Sequence, residues 1–183
     1  MLILASQSPR RREILHQAGI SFVIKPTNVD ETIMSGESGR EYVSRVARQK
    51  AAAVEASPAD VVLAADTVVV VDGRILGKPA GNDDALRMLE ALSGREHQVL
   101  TGICLRSYAE TIVDVDVTRV WFVSLTRKQM EEYVATGEPM DKAGAYAIQG
   151  LASKFIQRID GSYANVVGLP IELVLRHLLL LAS

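Results

Sequence analysis

The spacing of apolar positions changes several times along the chain, and each change predicts an element. Leu2–Ala5 is an unbroken apolar run of strand length. Ser8-Pro9 then predicts a helix start, because a serine N-cap and a proline at the first helical position both suit free backbone N–H groups. This helix extends to about Ala18, where Gly19 ends it. "ISFVIKP" predicts a second strand stopped by Pro26, and the polar "TNVDETIMSGESG" a loop. From Arg40 to Glu55 the residues Val43, Val46, Ala47 and Val54 form one helical stripe. The long β-branched run "DVVLAADTVVVVDGRILG" predicts two strands joined by a tight turn at Asp72-Gly73. A helix over about Asp83–Leu92 and two long strands, His97–Arg106 and Thr111–Ser124, follow. Thr126 caps a helix through about Ala135. The Gly-rich "GEPMDKAGAYAIQG" is irregular, "SKFIQRI" a strand, Asp160-Gly161 a turn, and Pro170 opens the last helix. With no repeat and no linker, the pattern predicts one mixed α/β domain over residues 1–183.

A few residues break this pattern. Asp66 stands inside an otherwise almost wholly apolar strand, and a buried carboxylate needs a partner, a metal or a shifted pKa. The plain alternative is a strand-end acid bonded to nearby backbone. Lys50 falls on the apolar stripe of its helix, where the plain reading is a lysine that packs its stem and snorkels its ammonium to water. Arg10, Arg11 and Arg12 crowd a helix N-terminus, whose partial positive charge favours acids. An anion bound at the free N–H groups would remove that conflict. Lys78, Lys142, Asp141 and the pair Asp30-Glu31 read individually as solvated loop residues.

Bulk composition narrows the chemistry. A net charge of −2 offers no basic field for nucleic acid, and 5% aromatics are too few for a base-stacking platform. Cys104 is the only cysteine, read as a buried strand thiol, so one chain makes neither a disulfide framework nor a cysteine zinc site. "MLILAS" is too short for a signal peptide and no run reaches membrane-span length, so the expectation is a soluble cytoplasmic protein. His16, His97 and His177 lack metal-ligand spacing, and no P-loop, dinucleotide fingerprint or nucleophile elbow occurs. What remains is a cationic set, Arg10, Arg11, Lys50, Lys78 and Lys142, and an acidic set, Glu31, Asp66 and Asp141. Together these suit a polyphosphate, a divalent metal and an activated water.

"SQSPRR", "VDE", "ARQKA", "AADTVV", "GKP", "GEPMDKAGAYAIQG" and "GSYANVVGLPI", in this order, resemble the Maf family of nucleoside triphosphate pyrophosphatases. The resemblance implies a Maf/ITPase-like α/β fold: a mixed, elongated central sheet flanked by helices, with a cleft between two lobes. It implies hydrolysis of a nucleoside triphosphate to monophosphate and pyrophosphate with Mg²⁺ or Mn²⁺ held by Glu31 and Asp66. Asp66 would accept the proton, with Glu31 and Lys78 also catalytic. Arg10, Arg11, Lys50, Thr67, Lys142 and Gln149 would bind substrate, and Arg10, Thr67 and Gln149 would bear on its choice. The "DKAGAYAIQG" segment resembles the branch acting on dTTP and UTP, whether normal or modified pyrimidine nucleotides. A homodimer is also implied. The family's older name refers to septum formation, which leaves a nucleotide-binding regulator of division as the alternative; cleavage at the γ-phosphate is a third reading.

The Gln149 amide offers a donor and an acceptor that match the N3–H and O4 of uracil or thymine. A flipped amide serves cytosine equally, so a further group must set its presentation, and the sequence does not name that group. Ala147 stands where the resemblance leads one to expect glycine. If that position needs a positive φ, alanine costs about 1 kcal/mol there.

Overall fold

The computed structural model describes residues 1–181; Ala182 and Ser183, at the end of the stretch read as the last helix, lie outside the described residues. In chain order the elements are β1 (Leu2–Leu4), α1 (Pro9–Gln17), β2 (Phe22–Ile24), α2 (Gly39–Ala52), β3 (Val61–Val71), β4 (Arg74–Leu76) and α3 (Asn82–Leu92). Then come β5 (Glu96–Arg106), β6 (Thr111–Phe122), α4 (Arg127–Ala135), β7 (Ile156–Asp160), α5 (Tyr163–Val167) and α6 (Ile171–Leu181). The predicted caps form: Ser8 accepts from the N–H of Arg11, and Ser38 and Thr126 each close a capping box. Asp72 and Gly73 turn the β3–β4 hairpin with φ of 49° and 74°, the left-handed values a two-residue turn requires.

The sheet runs β2-β1-β3-β5-β6-β7, with β4 beside β3. It is mixed: β1 is parallel to β2 and β3, and the other pairs are antiparallel. β5 covers one edge of β3 from Val62 to Val70. On the other edge β1 covers Val61–Leu63 and β4 covers Val69–Val71. Residues 64–68 therefore have no strand partner on that edge. The gap has a different helix group at each end. Near β1, Leu63 and Ala65 pack with Leu15, Val167, Leu169 and Val174. Near β4, Val69 and Val71 pack with Leu89, Met130 and Tyr133. On the opposite face α2 lays Val43, Val46, Ala47 and Ala51 over the even-numbered residues of β3. This is the mixed, helix-flanked sheet with a cleft between lobes that the resemblance implies.

Two segments differ from the sequence expectation. The strand read as "SKFIQRI" begins only at Ile156, because Leu151–Phe155 winds into one 3-10 turn that buries Phe155 against Phe122 and Tyr133. The β6–β7 register shifts at Trp121/Phe122, beside the Phe122–Ile156 pair where that turn gives way to the strand. The five-residue α5 is too short to show a period, and its N-cap Ser162 is the local signal. The last helix follows Pro170 as expected, burying Val174 and exposing Leu179 and Leu180. No described helix is long and apolar enough to cross a membrane.

Gly102 sets the height of α2 over the sheet. It pairs across from Asp66, and a Cβ there would lie 2.5 Å from the Val43 carbonyl oxygen. Gly102→Ala is expected to lift α2 and lower unfolding stability by about 1–3 kcal/mol, read by urea denaturation.

Candidate active site

All nine expected site residues line one cleft of about 650 Å³: Arg10, Arg11, Glu31, Lys50, Asp66, Thr67, Lys78, Lys142 and Gln149. Asp141 joins them, so five cations face three carboxylates. Asp66 sits in the uncovered stretch of β3 and is 6% exposed. Its side chain points to the α2 face, where Lys50 meets it. The Lys50 Nζ donates to Asp66 Oδ1 at 2.7 Å and lies 2.7 Å from Glu31 Oε1. Lys50 is thus buried in an ion-paired bridge rather than snorkelling. Burial raises the Asp66 pKa above the ordinary carboxylate value, against the pull of Lys50 and Arg11. Glu31 goes the other way: burial opposes its ionisation, but the Lys50 hydrogen bond, with Lys50, Lys78 and Arg11 charges, holds its pKa below the usual value.

The loop carrying Glu31 is tied to α2. Tyr42 donates its hydroxyl to the Glu31 carbonyl at 2.9 Å, and Arg45 binds both Glu37 oxygens and the Thr32 carbonyl. Asp30 does not enter the site; it accepts the N–H of Thr32 in a local turn. Lys78 follows β4 on an exposed loop anchored where Gly144 N–H donates to the Gly77 carbonyl at 3.0 Å. Lys142 pairs with Asp141. Gln149 lines the cleft beyond them, and no described residue bonds its amide.

The three arginines separate. Arg11 turns into the gap in the sheet: its Nε donates to the Gly168 carbonyl at 2.8 Å, one terminal nitrogen to the Ala65 carbonyl at 2.8 Å and Ser6 Oγ, the other to Thr67 Oγ1 at 3.2 Å. Thr67 shares its hydroxyl with Thr101, which donates to the Asn165 carbonyl. Four of the five N–H donors of Arg11 and the hydroxyl of Thr67 are therefore engaged by the chain itself, while both residues line the cleft. Arg10 differs. Its Nε is buried with no hydrogen-bond partner, and it makes no ion pair among the described residues. Thr27 Oγ1, also on the cleft wall, is likewise unpartnered, and the sequence reading missed it.

Ala147 is not at positive φ; the left-handed alanine of this segment is Ala145, at φ 59°, beside Gly144 at 67°. Gly144 is needed there twice over, since a Cβ would also lie 2.6 Å from Val69. Tyr146, next in line, pairs its hydroxyl with His97 Nε2 at 2.8 Å inside an aromatic cluster with Phe122. His97 gave no signal in the sequence because its burial is created by β5 lying under this segment.

No described group of three or more His, Cys, Asp or Glu side chains is placed to hold a metal by itself. Glu31 and Asp66 nevertheless each give one carboxylate oxygen to the Lys50 ammonium at 2.7 Å, and the second oxygen of each has no partner among the described residues. Two carboxylates completed by phosphate oxygens and water are a usual magnesium donor set, so the residues fit a divalent cation bound along with a polyphosphate.

The model of the family described as Maf-like protein matches residues 1–180. The chain belongs to the Maf family. Among relatives, the "dTTP/UTP pyrophosphatase" of Anaeromyxobacter dehalogenans (strain 2CP-C) is 54% identical over 93% of this chain and 88% of its own. That of Syntrophomonas wolfei subsp. wolfei is 50% identical over 93% and 92%. A solved structure, of a HAM1 protein from Coxiella burnetii, aligns with TM-score 0.44 and 22% identity over 66% of this chain and 72% of that one.

The bonding of the arginines in this Maf chain predicts a contrast. Arg11→Lys strands the Ala65 and Gly168 carbonyls and is expected to cost about 2–3 kcal/mol in denaturant unfolding, whereas Arg10→Lys stays within about 0.5 kcal/mol. His97 predicts a pH dependence. Burial pushes its pKa down to about 4 from 6.5. Between those values the unfolded chain binds the proton and the folded chain does not, so stability should fall as pH drops from 6.5 toward 4. His97→Gln should flatten that slope in thermal melts across the window.

Proposed function

We propose that this protein hydrolyses dTTP and UTP to the nucleoside monophosphate and pyrophosphate. The observation that carries the reading is Asp66, a buried carboxylate with a raised pKa, set in the open edge of β3 beside a cleft in which cations outnumber acids. The names of relatives at 50–54% identity support the same reaction and base. A triphosphate brings about four negative charges at neutral pH, toward which Arg10, Lys78 and Lys142 would contribute while Lys50 stays between Asp66 and Glu31. Arg10 is the strongest candidate among them, since it lines the cleft and makes no ion pair among the described residues.

The chemistry follows from the same groups. A water attacks the α-phosphorus, the bond from that phosphorus to the bridging oxygen breaks, and pyrophosphate leaves. Asp66 takes the water's proton at its carboxylate; a pKa lifted toward neutrality makes it a better base than an exposed aspartate. Lys50 holds Asp66 and Glu31 in place, and Lys78 and Arg10 carry the charge of the leaving pyrophosphate. A Mg²⁺ or Mn²⁺ bound by Glu31, Asp66 and phosphate oxygens would neutralise further charge. Arg11 acts one step back, holding the Ala65 carbonyl and the Thr67 hydroxyl on either side of Asp66. Gln149 faces the base with its paired donor and acceptor.

Product analysis tests this reading. Purified protein with dTTP, UTP, CTP, GTP and ATP, each with Mg²⁺ or Mn²⁺, should release monophosphate and pyrophosphate from dTTP and UTP, with Asp66→Asn slower by about 10²–10⁴-fold. Diphosphate and phosphate as products would move the cut. Tight nucleotide binding without turnover would favour a regulator of the septum-formation kind.

A further inference from the structure

The segment that carries Gln149 is anchored at both ends, and one anchor is an acid that does not reach the cleft. Glu138 opens a 3-10 turn after Gly137. Its Oε1 accepts the Tyr133 hydroxyl at 2.8 Å, and its Oε2 accepts the backbone N–H of Leu151 at 3.0 Å. The carboxylate lies directly against Gly150: a Cβ built there would meet Oε1 at 2.3 Å, and only glycine admits that approach. At the other end stands the buried Tyr146–His97 pair. Between these anchors only Ala147, Ile148, Gln149 and Gly150 bridge, and Gly150 N–H closes the bridge on the Ala147 carbonyl at 3.1 Å.

We propose that Glu138 is a positioning residue for base selection. Its carboxylate fixes the backbone on the C-terminal side of Gln149, and so fixes where that amide stands against the base. No described residue bonds the amide itself, so its reach to the base is set by the backbone that carries it. Moved from that place, it would pair with a uracil or thymine no better than with a cytosine. The proposal rests on the reading of Gln149 as the residue facing the base.

The test measures binding, so it does not depend on turnover. Dissociation constants for α,β-imido-dUTP and α,β-imido-dCTP are compared by calorimetry in the unaltered protein, Glu138→Ala, Glu138→Gln and Tyr133→Phe, with melting temperatures alongside. The unaltered protein should prefer the uracil analogue. Glu138→Ala should reduce that preference by about tenfold through weaker uracil binding, with the cytosine analogue within about twofold. Glu138→Gln keeps one oxygen for Leu151 N–H and presents an amide to the Tyr133 hydroxyl, so it should restore most of the preference. Tyr133→Phe, which removes the hydroxyl's bond to Glu138 and its contact with the Ala147 backbone and is the fallback should Glu138→Ala not fold, should shift the ratio in the same direction by about threefold. An unchanged ratio in these variants, or equal weakening of both analogues, overturns the proposal and leaves Glu138 a structural residue. Equal binding of both analogues by the unaltered protein overturns it together with the role of Gln149. Discrimination without hydrolysis would strike the proposed reaction and leave Glu138 standing.

Discussion

Five residues of β3 go without a strand neighbour on one edge, and the site is built around that omission. β1 ends its pairing at Leu63 and β4 begins at Val69. Carbonyls in such a gap, if buried, must find a donor or cost free energy. The Ala65 carbonyl finds Arg11, whose side chain also ties the Gly168 carbonyl at the end of α5 to the same place. The Ala65 carbonyl is thereby satisfied without a strand closing the gap. Asp66 lies within it, and its side chain leaves the strand on the α2 face.

That arrangement also explains the excess of positive charge in so short a stretch. Arg11 is bonded into the fold, whereas Arg10, which lines the same cleft, makes no ion pair among the described residues. On the opposite face Lys50 is held low over the sheet because Gly102 lets the backbone of α2 approach β5. A lysine buried between two carboxylates keeps a partner when one is lost, and only the removal of both would leave its charge uncompensated. The opposed shifts of Asp66 and Glu31 follow from their depth. Asp66 is the more buried of the two and is pushed toward its neutral form; Glu31 sits at the mouth, where three cations outweigh its desolvation.

Most of the architecture is legible in the sequence because it rests on local patterns: alternating or continuous apolar runs, serine and threonine caps, and the Asp72-Gly73 turn. The candidate site was legible as residue types that do not suit a bland fold, Asp66 in an apolar strand and Lys50 on an apolar stripe. What escaped depends on contacts distant in sequence. Arg10 and Arg11 are adjacent and chemically identical, and only the position of Gly168, 157 residues away, separates their tasks. The left-handed alanine proved to be Ala145 rather than Ala147, since the bend is imposed by packing of Gly144 on Val69. Glu138 reads as one more loop acid until Gly150 is seen lying against it.

The same bonds that close this fold also place the residues expected to react. The Arg11 contacts join residues 54 and 157 positions apart, and the Lys50–Asp66 bond joins α2 to β3. Loss of activity on removing Arg11 would therefore not by itself make it a substrate ligand, since the gap that exposes Asp66 would relax as well. Asp66→Asn is a cleaner probe of chemistry than of stability, because the amide keeps the shape and one acceptor for Lys50 while discarding the proton-accepting charge. The distinction between residues that build the opening in β3 and residues that use it is thus a physical one, and it divides even neighbouring arginines.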